Sequence, residues 1–108
     1  MLRNHVFRLL PATALLTLLA PIPAAHAESL GEQLCTVLKK LLPEVRDYQP
    51  AGARAQLVMA VSEAFDYEPD KLRPVRKEID PATTASCPKE REAMLAVLKT
   101  KTLAEGME

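Results

Sequence analysis

The apolar residues between positions 30 and 98 recur at steps of three and four, the spacing of one face of an α-helix. No run of β-branched and aromatic residues alternates with polar residues, as a half-buried strand would require. Prolines divide the periodic stretches at Pro43, Pro50, Pro69, Pro74, Pro81 and Pro88. The pattern therefore predicts an all-α fold, a small bundle of four or five short helices.

The first helix is the most clearly marked. Ser29 and Glu32 have the spacing of a capping box, in which each side chain bonds a free amide at the start of a helix. Pro43 is expected to kink this helix or to restart it, and the helix is expected to end near Asp47. Its predicted core face consists of Leu30, Leu34, Leu38, Leu41 and Val45.

Further helical stretches follow. The second helix is predicted over residues 53–65, and the third is predicted to be short, with Asp70 as its cap. Asp80 and the proline after it indicate a new start. The last helix is predicted to begin at Ser86 as cap, and the tail around Gly106 is expected to fray. The predicted buried faces contain Leu57, Val61, Ala64, Phe65, Leu72, Val75, Ile79, Met94, Leu95 and Leu98.

Residues 1–27 have the features of a secretory signal peptide. Arg3 and Arg8 precede an uncharged run from Leu9 to Ala20, and Ala25-His26-Ala27 matches an A-x-A cleavage site. An apolar run of about 12 residues is too short to cross a bilayer as a helix, which needs roughly 20. We therefore predict export to the bacterial periplasm without stable membrane insertion. Secretion from the cell and an uncleaved membrane anchor are the alternatives.

Cleavage after Ala27 would leave residues 28–108 as a single helical domain. This part of the chain has 12 basic and 14 acidic residues, a formal net charge of −2, and contains no His, Trp or Asn. It lacks the basic excess that is typical of nucleic-acid-binding proteins. It also lacks imidazoles, which zinc and copper sites commonly use. We therefore predict no nucleic-acid partner, no metal and no cofactor.

Cys35 and Cys87 are the two cysteines of the chain. Both lie beside predicted apolar helix faces, and small exported domains often carry disulfides. A bond between them would close a loop of about 50 residues and, in the chain-entropy model, would stabilise the fold by roughly 4 kcal/mol. An intramolecular structural disulfide is the favoured interpretation. An intermolecular bond and a redox-active pair are the alternatives, although the spacing differs from C-x-x-C.

The sequence offers little that could support catalysis. Ser62 has no histidine available as a general base after cleavage. The acids from Asp66 to Asp70 alternate, as calcium ligands do, but the glycine of a calcium loop is missing. No glycine-rich phosphate-binding loop is present. These observations indicate a protein that is not an enzyme.

One cluster of charge is a candidate docking site. Lys71, Arg73, Arg76 and Lys77 lie within seven residues of the third predicted helix, and the last three fall on the side opposite its apolar face. Such a patch could dock an acidic protein or a phosphate-bearing envelope component such as lipopolysaccharide. The alternative is an ordinary solvated helix face that neighbouring acids partly neutralise.

The layout of the chain resembles the HdeA-type acid-stress chaperones of the periplasm. The likeness rests on size, the leader, helical content and two cysteines about 50 residues apart. The segment from Thr84 to Cys87, followed by a charged amphipathic helix, is also similar. The resemblance implies a folded dimer that opens in acid and holds unfolded clients on its exposed apolar surface. The chain departs from that family in having no tryptophan before Cys35 and in its proline-punctuated middle.

Taken together, these features predict a small exported, non-enzymatic binding or interaction protein that docks on a protein or envelope partner. An acid-activated periplasmic chaperone of HdeA-like layout is the alternative. Since the 14 acids of residues 28–108 would be neutralised near pH 4, a response to acid would come from carboxylates.

Overall fold

The computed structural model describes residues 28–108, so the predicted signal peptide lies outside the described residues. Within that range the chain forms five helices and no strand, in agreement with the predicted all-α bundle. The helices are α1 (Leu30–Val45), α2 (Pro50–Ala64), α3 (Pro69–Ser86), α4 (Pro88–Leu98) and α5 (Leu103–Gly106). Helix α1 packs against α2, α3 and α4, which makes it the central element.

Helix α1 begins with the predicted capping box. The Glu32 amide donates to Ser29 Oγ at 3.1 Å, and the Ser29 amide donates to Glu32 Oε1 at 3.0 Å. The predicted core face is confirmed for its four residues from Leu34 to Val45, while Leu30 is only half-buried. The helix continues through Pro43, because this proline lies exposed in the last turn, where the carbonyl it leaves unbonded can reach water.

The prediction of two short pieces in the third stretch is wrong. Helix α3 is continuous over 18 residues and contains both Pro74 and Pro81. Both prolines lie on the exposed side, whereas Val75, Ile79 and Thr83 share the buried side at steps of four. Burial of one continuous face outweighs the hydrogen bonds that the prolines remove. The buried Thr83 hydroxyl donates to the Ile79 carbonyl at 2.6 Å, one turn earlier.

Helices α2, α3 and α4 each begin on a proline. Proline suits the first helical position because it has no amide hydrogen to leave unbonded there. The second helix therefore starts at Pro50, three residues before the predicted position. The predicted caps Asp70 and Ser86 are also wrong, because Asp70 is the second residue of α3 and Ser86 is its last.

The C-terminal tail is packed, contrary to the expectation that it frays. Leu103 is fully buried and Met107 is 6% exposed. The Arg76 guanidinium donates to the Met107 carbonyl at 3.2 Å, which fixes the end of the chain on α3. The apolar side chains of the tail are too few to form a periodic pattern. A local helix signal is nevertheless present, since Thr102 and Glu105 have the spacing of a cap and the Glu105 amide donates to the Thr102 hydroxyl at 3.1 Å.

Cys35 and Cys87 form the predicted intramolecular disulfide, with their Cα atoms 6.0 Å apart. The bond joins the second turn of α1 to the residue that precedes α4. Both cysteines belong to the buried core. The remaining core residues are Leu34, Leu38, Leu41, Val45, Ala53, Leu57, Val61, Val75, Ile79, Met94, Leu95, Leu98, Leu103 and Met107.

Candidate functional site

An open groove of about 810 Å³ lies between α1 and the last turn of α2; we call it the α1–α2 groove. On α1 its wall follows one helical stripe, with members three or four residues apart. On α2 the wall is a single turn in which two of the three residues are alanines. The helices leave space here because alanine side chains are short. The lining residues are Glu28, Gln33, Thr36, Val37, Lys40, Leu41, Glu44, Ala60, Glu63 and Ala64.

The floor of the α1–α2 groove is apolar. Leu41 lies at its base and is 4% exposed, so it belongs to both the core and the groove. Val37 and Ala60 are half-buried and pack against the core, and Ala64 is exposed. A ligand that fills this groove would therefore bury apolar surface, which favours binding.

The rim of the α1–α2 groove is acidic. It carries the carboxylates of Glu28, Glu44 and Glu63 and a single cation, Lys40. All four residues are exposed, and none forms an ion pair with another of the described residues. Removal of the leader after Ala27 would place an α-ammonium group on Glu28 and still leave the rim with one excess negative charge.

A second groove of about 600 Å³, the α3 groove, meets the first at Gln33 and Ala64. Its apolar lining includes Leu30, Phe65 and Val75. The two grooves therefore form one trough that runs along α1 and turns toward the start of α3.

The predicted basic patch is largely engaged with other parts of the chain. Lys71 Nζ lies 3.4 Å from Asp66 Oδ2 and 3.4 Å from Glu68 Oε2. The hydrogen bond with Asp66, followed by the attraction of Glu68, raises the pKa of Lys71 above its ordinary value. Although all four predicted residues are exposed on α3, they do not form a uniformly basic surface.

The other members of that patch have different surroundings. Arg73 Nη2 lies 3.4 Å from Asp70 Oδ1, and Arg76 bonds the C-terminal tail. Lys77 forms no ion pair with any of the described residues. A docking role for these four residues stays a prediction, and the paired acids weaken the electrostatic case for it.

Asp80 forms the most connected polar contact of the described chain. Its Oδ1 accepts from Arg91 Nη2 at 2.8 Å and from the Leu103 amide at 2.8 Å, and its Oδ2 accepts from the Ala104 amide at 3.1 Å. These bonds join α3, α4 and the first turn of α5. Because both side chains are less than one-fifth exposed, the contact serves to hold the tail rather than to bind a ligand.

Residues 28–108 contain neither a cluster of metal-ligating side chains nor a free thiol. No cluster of three or more His, Cys, Asp and Glu side chains is placed to hold a metal ion in this range. Both cysteines are in the disulfide. Among the helices of the same range, none is long and apolar enough to cross a membrane.

Comparison of the chain with protein-family models, curated proteins and solved structures found no match. The likeness to HdeA-type chaperones therefore rests on layout alone.

The sequence reasoning missed the α1–α2 groove. It assigned Ala64 to the core, whereas the structure places it exposed at the junction of the two grooves. A signal was present in α2, whose 15 residues include only two charged residues, Arg54 and Glu63. A helix that is apolar on most sides but lies on the surface often contacts something besides its own core.

Proposed function

We propose that this protein is a small exported, non-enzymatic binding module that captures a segment of another protein in the α1–α2 groove. The leader sequence supports export to the bacterial periplasm, with secretion as the alternative. The observation that carries the binding role is the groove itself, an apolar floor between two helices that is open to solvent. Its rim carries carboxylates that form no ion pair within residues 28–108. Apolar concave surfaces with a few polar groups are the usual form of a binding site.

The fold holds the α1 wall of the α1–α2 groove rigidly. The disulfide ties α1 to α4, and α1 contacts three other helices. The groove wall on α1 is therefore held in place by the core. Binding would cost little conformational entropy in this wall, because it is already ordered.

The test uses a pair of matched variants on α2. Ala64→Trp fills the junction of the two grooves, whereas Ala55→Trp adds the same side chain at an exposed position on the opposite side of the helix. Each protein is purified after export and used to retain partners from an envelope extract at neutral pH. We expect one partner that binds the natural protein and Ala55→Trp but is lost with Ala64→Trp. Equal retention by all three proteins would reject the groove as the binding site.

An acid-activated chaperone is the second candidate, and the Asp80 contact supports it. Neutralising Asp80, as Asp80→Asn does, would remove the negative charge that holds Arg91 and would weaken the bonds to the two α5 amides. Release of α5 would expose Leu103 and Met107, which are buried at the tail. Exposed apolar surface of this kind can hold unfolded clients.

The two candidates differ in their response to pH. A chaperone should suppress aggregation of an unrelated protein only in acid, and Asp80→Asn should bring that activity to neutral pH. A binding module should retain its partner at neutral pH and should not protect unrelated proteins at either pH. Aggregation assays at both pH values, with the natural protein and Asp80→Asn, separate these outcomes.

A further inference from the structure

We infer that the segment captured by the α1–α2 groove is a cationic amphipathic helix of a partner protein. This inference rests on the proposed binding function and adds the chemistry of the partner to it. It follows from the shape of the groove, from the order of apolar positions on its walls, and from the charge of its rim.

The shape fits a helix. The wall on α1 runs from Gln33 to Glu44 along one helical stripe, a length of about 16 Å at 1.5 Å per residue. The facing wall on α2 contains Ala60 and Ala64, one turn apart. Two packed helices with small side chains on one side leave a trough, and a third helix can place its ridge of side chains there. An occupant of about three helical turns would match the length.

The floor determines the apolar face of the occupant. Val37 and Leu41 lie four residues apart on α1, and Ala60 and Ala64 lie four apart on α2. An occupant that buries this surface needs large apolar residues at positions i, i+3 or i+4, and i+7, as in other helix-in-groove complexes.

The rim determines the charge of the occupant. Glu28, Glu44 and Glu63 face the solvent without ion-pair partners among the described residues. Lys40 and, after cleavage at Ala27, the α-ammonium group of Glu28 oppose them, which leaves the rim with one excess negative charge. Lysine or arginine beside the apolar face of the occupant would therefore be attracted, and glutamate at the same positions would be repelled. The same charge disfavours an anionic lipid surface, so a protein segment fits better than lipopolysaccharide.

Synthetic peptides test this inference directly. The probe is a peptide of about 14 residues with leucines at helical spacing and lysines on both flanks of the leucine face. A matched peptide carries glutamate in place of every lysine. We expect the lysine peptide to bind the natural protein at least about tenfold more tightly than the glutamate peptide, with an affinity that falls as salt rises. Fluorescence anisotropy of the labelled peptides measures both affinities.

Protein variants locate the binding. Ala64→Trp should lose the lysine peptide and Ala55→Trp should keep it. The double variant Glu44→Lys/Glu63→Lys should weaken binding by about tenfold, whereas Glu78→Lys, an exposed position on α3 outside the grooves, should leave it unchanged. Circular dichroism confirms that each variant is folded.

Two results would overturn the inference. Equal binding of the lysine and glutamate peptides would show that rim charge does not select the partner, and equal binding of the lysine peptide to Ala64→Trp would place it elsewhere. If neither peptide binds while the extract partner is still lost with Ala64→Trp, the proposed function stands and the cationic helix is rejected. The proposed function is rejected if the natural protein retains no partner from the extract that Ala64→Trp fails to retain.

Discussion

The carboxylate of Asp80 lies 2.8 Å from Arg91 Nη2, across the contact between α3 and α4. The two side chains are 19% and 15% exposed, and Arg91 Nε is buried without a hydrogen-bond partner among the described residues. Since Asp80 also bonds the first two amides of α5, this pair links the main bundle to the C-terminal tail.

Asp80→Ala should lower the free energy of unfolding by about 3 kcal/mol, because it leaves Arg91 without its main partner and removes the acceptor of the Leu103 and Ala104 amides. Urea unfolding at neutral pH measures the change. Hydrogen exchange at the Leu103 and Ala104 amides should be faster in the variant, by more than the fall in the global free energy of unfolding accounts for. The control is Asp70→Ala, whose 93% exposed carboxylate should contribute at most about 0.5 kcal/mol. Equal effects of the two variants would contradict the assigned role.

Gly31 and Gly52 should respond in opposite directions to alanine. A Cβ at Gly31 would lie 3.2 Å from the Ala82 carbonyl oxygen and would collide with Ser86 Oγ, because α1 crosses close to α3. At Gly52 the nearest atom to a Cβ is Tyr48 Cδ2 at 3.5 Å, an ordinary contact. We expect Gly31→Ala to destabilise by about 1 kcal/mol and Gly52→Ala to stabilise by about 0.5–1 kcal/mol through helix propensity.

Thermal and urea unfolding of the two glycine variants provide the measurement. Adding Ser86→Ala to Gly31→Ala removes the colliding Ser86 Oγ and should recover part of the lost stability. Stabilisation by Gly31→Ala would contradict the close approach of α1 to α3 at this position.

Reduction of the disulfide should lower the free energy of unfolding by about 4 kcal/mol, because 52 residues separate Cys35 from Cys87 and the open chain regains that loop entropy. The measurement is urea unfolding with and without reductant. Cys35→Ala/Cys87→Ala should match the reduced protein and should not respond to reductant. Free thiols in the exported protein, or an unchanged midpoint after reduction, would contradict this prediction.

The capping box should contribute to stability at neutral pH and lose its effect in acid. The hydrogen bond from the Ser29 amide, followed by that from the Ser29 hydroxyl, lowers the pKa of Glu32 below its ordinary value. A lowered folded-state pKa means that this stabilisation is complete above the unfolded-state value of about 4.3. It is lost as the pH falls through the folded-state value.

The test compares the natural protein with Glu32→Gln from neutral pH to strong acid. The stability difference between them should shrink as Glu32 becomes protonated. Glu78→Gln, an exposed acid outside any cap, is the control and should show no such dependence. A stability difference that is constant across the whole pH range would contradict the prediction.

The sequence by itself determined the helical class, the capping box of α1, its main core positions and the cysteine pair. These features depend on residues close together in the chain, or on the side of a helix where a residue lies, and helical periodicity reports both. The starts of α2, α3 and α4 at Pro50, Pro69 and Pro88 were predicted only to within three residues.

Tertiary structure decided the rest. Continuity of α3 through Pro74 and Pro81 depends on packing that local propensity does not include. The tail is ordered because Asp80 and Arg76 reach it from about 20 to 30 residues away. The α1–α2 groove exists because Ala60 and Ala64 face α1 across a gap, and a gap between two helices depends on how the whole bundle packs.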